Sequence, residues 1–451
     1  MVQDTLHRSL RSEIEKEMKA YGYTISKTAE LTGMNPGHLS EILNSNPPRA
    51  ITIYQLDAFA TAFGKEEGWL YELYPEECMS GDKITKRRLI PYLVRCAEIE
   101  CHECLELITS QLLDNPKHLS ILFSVAEKLY DSSRADKAIP FYEYVIENEK
   151  DSFSSQFIMS QYRLFRIKIG TNSEENYKAL IRFEPYRKRL PENYQLDALL
   201  QLANVCYTLK EWEELEKYAD ELRSLSEIVY KEEVRKLTLN KVQEPFVTER
   251  HLVVYYGQSY LLKTVALMQH EQYEEAKKYV QKYIDLGWFK ILDDVGKQEV
   301  EKFRIWGEAY LYSLDLMLGN REALYQYVKF LEAHPNEILS GLLSIMEAAS
   351  KHDFPLDEIL EKFADQIAHF GDDNNSVTLS QKYNFFMYKS EYNFKKGHTI
   401  VAIDELLQCM ELSIIINNHE GFRSSVAQFW KYHNVATARQ KNCFQSILEG
   451  V

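Results

Sequence analysis

Apolar residues recur along this chain at intervals of three and four, the spacing of buried helix faces rather than of strands. Leu10, Ile14 and Met18 predict an amphipathic helix from Leu6 to Ala20. A short second helix carries Ile25 and Ala29 and stops at Gly33, because glycine enters the left-handed conformation at little cost. The third starts after Asn35, a good N-cap, with Pro36 at the position where a missing N–H needs no partner. Its buried stripe is Leu39, Ile42 and Leu43, which leaves Asn35, Gly37, His38, Ser40, Glu41 and Asn44 looking outward. Pro47-Pro48 cannot continue it. Thr52 caps a fourth helix bearing Leu56, Phe59, Ala60 and Phe63, closed by Gly64. Trp69, Leu70 and Leu73 predict a short fifth helix, and Pro75 ends the group.

From about residue 90 the pattern becomes one long series of helical segments separated by short breaks. Pairs of mostly small residues twelve apart recur across those breaks: Ala126 with Ala138, Thr264 with Ala276, Ser390 with Ala402, and Ala203 with Leu215. Small residues on both arms let two helices pack closely, so each pair predicts a helical hairpin. Further hairpins are expected at Ala97 to Leu113, Tyr162 to Tyr186, Tyr310 to Leu331 and Ile338 to Phe370. A run of such units predicts an α-solenoid, whose curved stack offers a groove.

Composition agrees with an all-α chain: 451 residues hold only 17 glycines and 12 prolines. No apolar run approaches the roughly 18 residues needed to cross a bilayer, and seven scattered cysteines suit a reducing cytosol. A soluble, cytoplasmic protein with no membrane association is therefore expected. Charge complicates the picture. The net charge is −15, and residues 1–80 alone carry 7 Lys/Arg against 12 Asp/Glu. The one basic segment, Lys83, Lys86, Arg87 and Arg88 with Arg95 further on, directly follows the five predicted helices.

Five helices with the second and third as a recognition pair resemble the Cro/C1 (Xre)-type helix-turn-helix domain, on TAELTGMNPGHLSEILN, the helix ending in AFG, and WLYEL. YEEAKKYVQKYIDLGW and ADKAIPFYEYVIEN resemble tetratricopeptide repeats. The combination is similar to the peptide-pheromone receptor regulators of the Rap–Rgg–NprR–PlcR–PrgX superfamily, arbitrium-type receptors included. That resemblance implies a homodimeric transcriptional regulator of quorum-sensing type, with a double-stranded DNA operator and a short signalling peptide as partners. It further implies a helix-turn-helix domain over 1–75, a basic linker over 76–95, and a right-handed tetratricopeptide-like α-solenoid over 96–451 for peptide binding and dimerisation. The chain departs from the helix-turn-helix family at Ile25, where members carry a glutamine.

Base and phosphate contacts are then expected from Lys27, Asn35, Gly37, His38, Ser40, Glu41 and Asn44, with Lys86, Arg87 and Arg88 on phosphates. Asn204 is the leading groove residue, because an amide can hold an extended peptide backbone without reading its sequence. Tyr207, Gln258 and Asn384 share that expected face, Glu391 suits a peptide cation, and Arg163 or Arg166 a peptide carboxylate. Two alternatives stay open: a repressor whose repeats serve only dimerisation or protein contacts, and a Rap-like regulator that binds a protein instead of DNA. No phosphate-cradling glycine loop, nucleophile elbow or HExxH occurs, so neither enzymatic activity nor a cofactor is expected. Cys101-His102-Glu103-Cys104 lacks a second ligand pair at zinc spacing and reads as core, not metal.

Overall fold

A computed structural model of the chain describes residues 8–80, 83–239, 246–370 and 375–450. The start of the expected first helix and residues 81–82 of the expected linker lie outside the described residues. Helices α1 (Leu10–Tyr21), α2 (Ile25–Thr32), α3 (Pro36–Asn44) and α4 (Ile53–Ala62) form where the apolar stripes place them. Their ends are set by side chains: Ser9, Thr24, Asn35 and Thr52 each accept a backbone N–H at an N-cap. Gly22 and Gly33, both at φ 67°, stop α1 and α2.

The expected fifth helix is corrected. Leu70 is left-handed at φ 64°, and Tyr71–Leu73 forms only a 3-10 turn. Pro75 does not close the group either. It opens α5 (Pro75–Cys78), which leads into a two-strand pairing of β1 (Met79–Ser80) with β2 (Lys83–Ile84) and then into α6 (Lys86–Glu98).

The expected linker over 76–95 is therefore packed structure. Leu89, Tyr92, Leu93 and Cys96 are all 0% exposed, an apolar stripe masked in sequence by the basic residues between them. The Tyr92 hydroxyl donates to the Tyr71 carbonyl at 2.9 Å, and its ring lies 5.0 Å from that of Tyr74. Arg95 pairs with Asp57 at 3.1 Å, tying α6 to α4.

After α7 (His102–Leu113), α8 (Leu119–Asp131), α9 (Ala135–Asn148) and α10 (Ser155–Lys168), one apolar core has gathered residues from Leu10 to Leu164. Cys96 and Cys104 are part of it. The first compact unit thus ends at Ile167, well beyond the expected boundaries at 75 and 95. Residues 96–167, assigned in sequence to the repeat domain, bury apolar residues in this core, and α8 and α9 pair within it as a helical hairpin.

The second unit, from Lys168, is a succession of helices packed on their chain neighbours. It begins with α11 (Ser173–Phe183), α12 (Glu192–Leu209), α13 (Trp212–Thr238), α14 (Leu252–Gln269) and α15 (Tyr273–Tyr283). It continues through α16 (Asp294–Met317), α17 (Glu322–Ala333) and α18 (Ile338–His352), then the short α19 (Asp357–Lys362) and α20 (Ala364–Ala368). The last helices are α21 (Ser376–Lys395), α22 (Thr399–Ile415), α23 (His419–Tyr432) and α24 (Ala438–Glu449).

The helical-hairpin pattern is present at the residues that foretold it. All eight members of the four twelve-apart pairs are 0% exposed, on α8–α9, α12–α13, α14–α15 and α21–α22. Seven residues after the first member of each pair the backbone turns left-handed: Ser133, Lys210, Glu271 and Gly397. Only one of these is a glycine, which hid the regularity in the sequence. Buried ions also join neighbouring helices, as where Lys263 of α14 meets Glu216 and Asp220 of α13 at 2.6 and 2.7 Å. The hairpin expected over Ile338 to Phe370 has a broken second arm, because α19 and α20 are interrupted at Phe363.

This second array returns on itself. The Ser173 N–H donates to the Ile416 carbonyl at 2.8 Å, Asn417 donates to Asn172 at 3.1 Å, and α12 packs against α21. An inner space is thereby bounded by helices far apart in sequence.

Candidate functional site

Helix α3 is held against α1 and α2, with Leu39 and Ile42 both 0% exposed, so its opposite face meets solvent. Asn35, Gly37, His38, Glu41 and Asn44 are exposed there and Ser40 is half-buried, as their spacing requires. Several of these groups already have partners. The Asn35 side-chain oxygen accepts the Gly37 N–H at 2.8 Å, which leaves its NH2 as the outward donor. Glu41 pairs with Arg49 at 2.6 Å, and Lys27 with Glu30 at 3.0 Å. Arg11 braces the C-terminal end of α3: its guanidinium donates to the Ile42 and Arg49 carbonyls at 2.9 and 2.8 Å and to Glu77 at 2.6 Å.

The basic segment is partly spent in the same way. Arg88 donates to the Glu77 carbonyl at 2.7 Å and Lys86 to the Ser120 hydroxyl at 3.0 Å, whereas Arg87 is exposed. A helix that belongs to the core offers its cations to that core first.

In the second unit three cavities of about 770, 210 and 560 Å3 follow one another along the inner space. The first and second share Trp306 and Glu337 as walls. The second and third share Thr208, Lys210, Asn384 and Tyr388. Together they form a groove lined by α12, α14, α16, α18 and α21.

Four sequence-predicted residues fall on this groove: Gln258 in the first cavity, Tyr207 and Asn384 in the second, and Glu391 in the third. All four are half-buried. Asn204 does not join them. It lines a separate cavity of about 250 Å3 with Asn176 and Gln201, because three residues along a helix turn a side chain about 60° away from Tyr207.

Arg163 and Arg166 are corrected as well, since both belong to the first unit. Arg163 makes two hydrogen bonds of 3.1 Å to the Glu127 carboxylate and covers the Tyr130 ring at 4.2 Å. Arg166 donates to the Tyr162 hydroxyl at 3.1 Å.

The sequence reading missed the middle of the groove: Lys210, Trp306, Ser313, Glu337 and Glu347. Lys210 sits at a left-handed turn, φ 61°, and desolvation holds its ammonium below the ordinary lysine range. Burial raises Glu337 and Glu347 above the ordinary carboxylate value. Glu337 accepts the Trp306 indole N–H at 3.1 Å. Lys210 was the one residue with a usable signal, since it stands seven positions after the small residue Ala203.

No family model matches this chain, and no curated protein does. Among solved structures it is similar to a circular tandem repeat protein with novel repeat topology and enhanced subunit contact surfaces. The identity is 11% over 97% of this chain and 89% of that one, and the TM-score of 0.14 is too low to carry an argument. Among the described residues no helix is long and apolar enough to cross a membrane, and no group of three His, Cys, Asp or Glu is placed to hold a metal ion.

Proposed function

We propose that the chain is a DNA-binding transcriptional regulator of tetratricopeptide type, controlled by a short peptide held along the inner groove of the second unit. The observation that carries this reading is the groove itself. Its three cavities share walls, run past four residues expected to hold a peptide, and combine amides, hydroxyls and aromatic rings. An extended chain needs such alternation, because each residue brings a backbone donor and acceptor as well as a side chain. The α2–α3 pair supports the DNA half: a capped short helix presents a small, polar face of the kind that enters a major groove. Two copies acting together would supply the affinity that an acidic first unit lacks on its own.

A salt-titrated gel shift on DNA upstream of the protein's own gene tests the DNA half. Sequence-specific retention that weakens as salt rises supports it. Binding that is absent or indifferent to sequence overturns it. Native mass spectrometry of protein purified from its own cell tests the peptide half, where a stoichiometric short peptide that changes DNA affinity is the expected result.

A second reading, in which the first unit docks on a protein, is favoured by the Lys27–Glu30 and Arg49–Glu41 pairs. They leave few unengaged cations on the α2–α3 face, and the gel shift separates the two readings.

A further inference from the structure

We propose that Cys104 and Cys101 of the first unit form a hydroperoxide-reactive thiol pair, which closes as a Cys101–Cys104 disulfide. The site involves neither the α3 face nor the groove, and it stands whether or not either reading above holds. Its chemistry comes from three sulfurs gathered at one corner. Cys101 occupies the N-cap of α7, Cys104 is the third residue of that helix, and Cys96 lies in the last turn of α6. The Cys101 N–H donates to the Cys96 carbonyl at 2.9 Å, which fixes the corner between the two helices. The Cys104 thiol hydrogen-bonds with those of both Cys96 and Cys101, and the Tyr92 hydroxyl lies against Cys96 and Cys104.

The remaining cysteines show what an ordinary core thiol does in this protein. Burial pushes Cys78 and Cys206 up to about 12 and also raises Cys409 and Cys443, the inert state of a structural cysteine. Cys104 goes the other way. Hydrogen bonds from the Cys96 and Cys101 thiols outweigh its burial and bring it down to about 6, with Glu72 a smaller opposing influence. The first turn of α7 adds its unpaired N–H groups, which favour a negative charge there. Burial raises both sulfur neighbours, Cys101 to about 11 and Cys96 further, so they keep the protons that hold the Cys104 thiolate.

Exposure and spacing assign the roles. Cys104 is 7% exposed, an opening that suits a small oxidant, whereas Cys101 is half-buried between the exposed Glu100 and His102. Cys96 is 0% exposed and stands behind both as a donor. Residues three apart on a helix have β-carbons about 5–6 Å apart, and a disulfide needs roughly 3.5–4.5 Å. Cys101 is not helical, at φ −74° and ψ 76°, so a rotation at the N-cap can close that gap without moving α6. The Cys104 thiolate attacks hydrogen peroxide: an S–O bond forms, the O–O bond breaks, and the departing hydroxide takes a proton from solvent. The Cys101 thiol then attacks the Cys104 sulfenic sulfur, forming the S–S bond as the S–O bond breaks, and its proton leaves with the hydroxyl as water. The sulfurs together lose a pair of electrons and the peroxide is reduced to water. All seven cysteines are free thiols, the resting state that such a site requires.

The experiment exposes the full chain, reduced and then freed of reductant, to hydrogen peroxide in slight excess. Remaining thiols are alkylated at intervals and the peptides are mapped by mass spectrometry without reduction. The expected result is a Cys101–Cys104 disulfide that forms roughly tenfold faster than any thiol outside the cluster is lost. Cys101→Ser should stop at the Cys104 sulfenic acid, which dimedone traps. Cys104→Ser should leave Cys101 reduced over the same interval, and Cys96→Ala should slow the oxidation of Cys104, each with circular dichroism unchanged.

A Cys104 that stays reduced, or that is oxidised no faster than Cys78 or Cys206, overturns the proposal. So does a Cys96–Cys104 bond, or a Cys104 sulfenic acid that persists in the parent chain, since either takes the resolving role from Cys101. The map of the parent chain decides the matter by itself where a variant fails to fold.

Discussion

The outer face of α3 and the inner groove of the second unit are both polar, yet their polar groups are in opposite states. On the α2–α3 face the Asn35 oxygen, Glu41 and Lys27 each have an intramolecular partner, and Arg11 secures the α3 end from behind. In the groove the buried Ser313 hydroxyl has none among the described residues, and Glu347 stands half-buried on the same cavity. A satisfied group gains only the difference between its old and new partners when a ligand arrives, whereas an orphaned buried group recovers its whole desolvation penalty. Binding strength per contact should therefore be modest on α3 and large in the groove, even though α3 is the more exposed of the two.

Four substitutions test that contrast. The largest effect is expected from Arg11→Ala, which leaves the Glu77 carboxylate, whose side chain is 9% exposed, with the Ile51 N–H but no cation, and frees the Ile42 and Arg49 carbonyls. Breaking such a pair should destabilise the first unit by roughly 3 kcal/mol, read as a lower denaturation midpoint. A loss below about 0.5 kcal/mol would mean that the α3 end is held by packing alone.

Glu347→Gln should act with the opposite sign. Folding raises the Glu347 pKa above 4.5, so the folded state binds a proton more readily than the unfolded chain. Its contribution is fully present below the ordinary carboxylate value and is lost as pH rises through the folded value. The variant should therefore be more stable than the parent at pH 7, by about 1 kcal/mol, with the gain disappearing in acid. Melting curves across pH 4 to 8 that run parallel for the two proteins would show that folding leaves Glu347 at the ordinary carboxylate value.

Lys210→Gly comes next. Glycine takes the φ of 61° without strain, and its greater freedom in the unfolded chain returns part of that gain, so a net stabilisation of roughly 0.5 kcal/mol is expected. A thermal melt checks this: a midpoint that falls would show that the Lys210 side chain itself holds the turn.

The smallest effect should come from Glu41→Gln. An exposed pair such as Glu41–Arg49 is worth at most about 1 kcal/mol, so DNA affinity should shift less than about fivefold. A tenfold loss confined to one operator position would make Glu41 a base reader and break the contrast from the α3 side.

How far each region was legible in the sequence follows from the range of the interactions involved. The helices came from local periodicity, and two of their starts from Asn35 and Thr52, which bond within three residues of themselves, whereas the caps at Ser9 and Thr24 were not read. The twelve-apart pairs marked helix contacts because only small or well-fitting side chains survive where two arms touch. Even there, left-handed turns at Ser133, Lys210 and Glu271 escaped notice for want of a glycine. The exposure of α3 was equally local, since burying Leu39 and Ile42 turns the remaining residues outward.

The sequence by itself therefore determined an all-helical chain, its hairpins and the polar face of α3, each set by contacts a few residues long. The tertiary structure alone decided that 76–95 is core, that Arg163 is taken by Glu127, and that Asn204 faces a different cavity from Tyr207. It also decided that the Ser313 hydroxyl would have no partner among the described residues while Lys351 went to Glu271, 80 residues away. Whether a polar group is spent or available depends on which distant helix arrives beside it, and in the second unit that is set by an array curling until α12 meets α21.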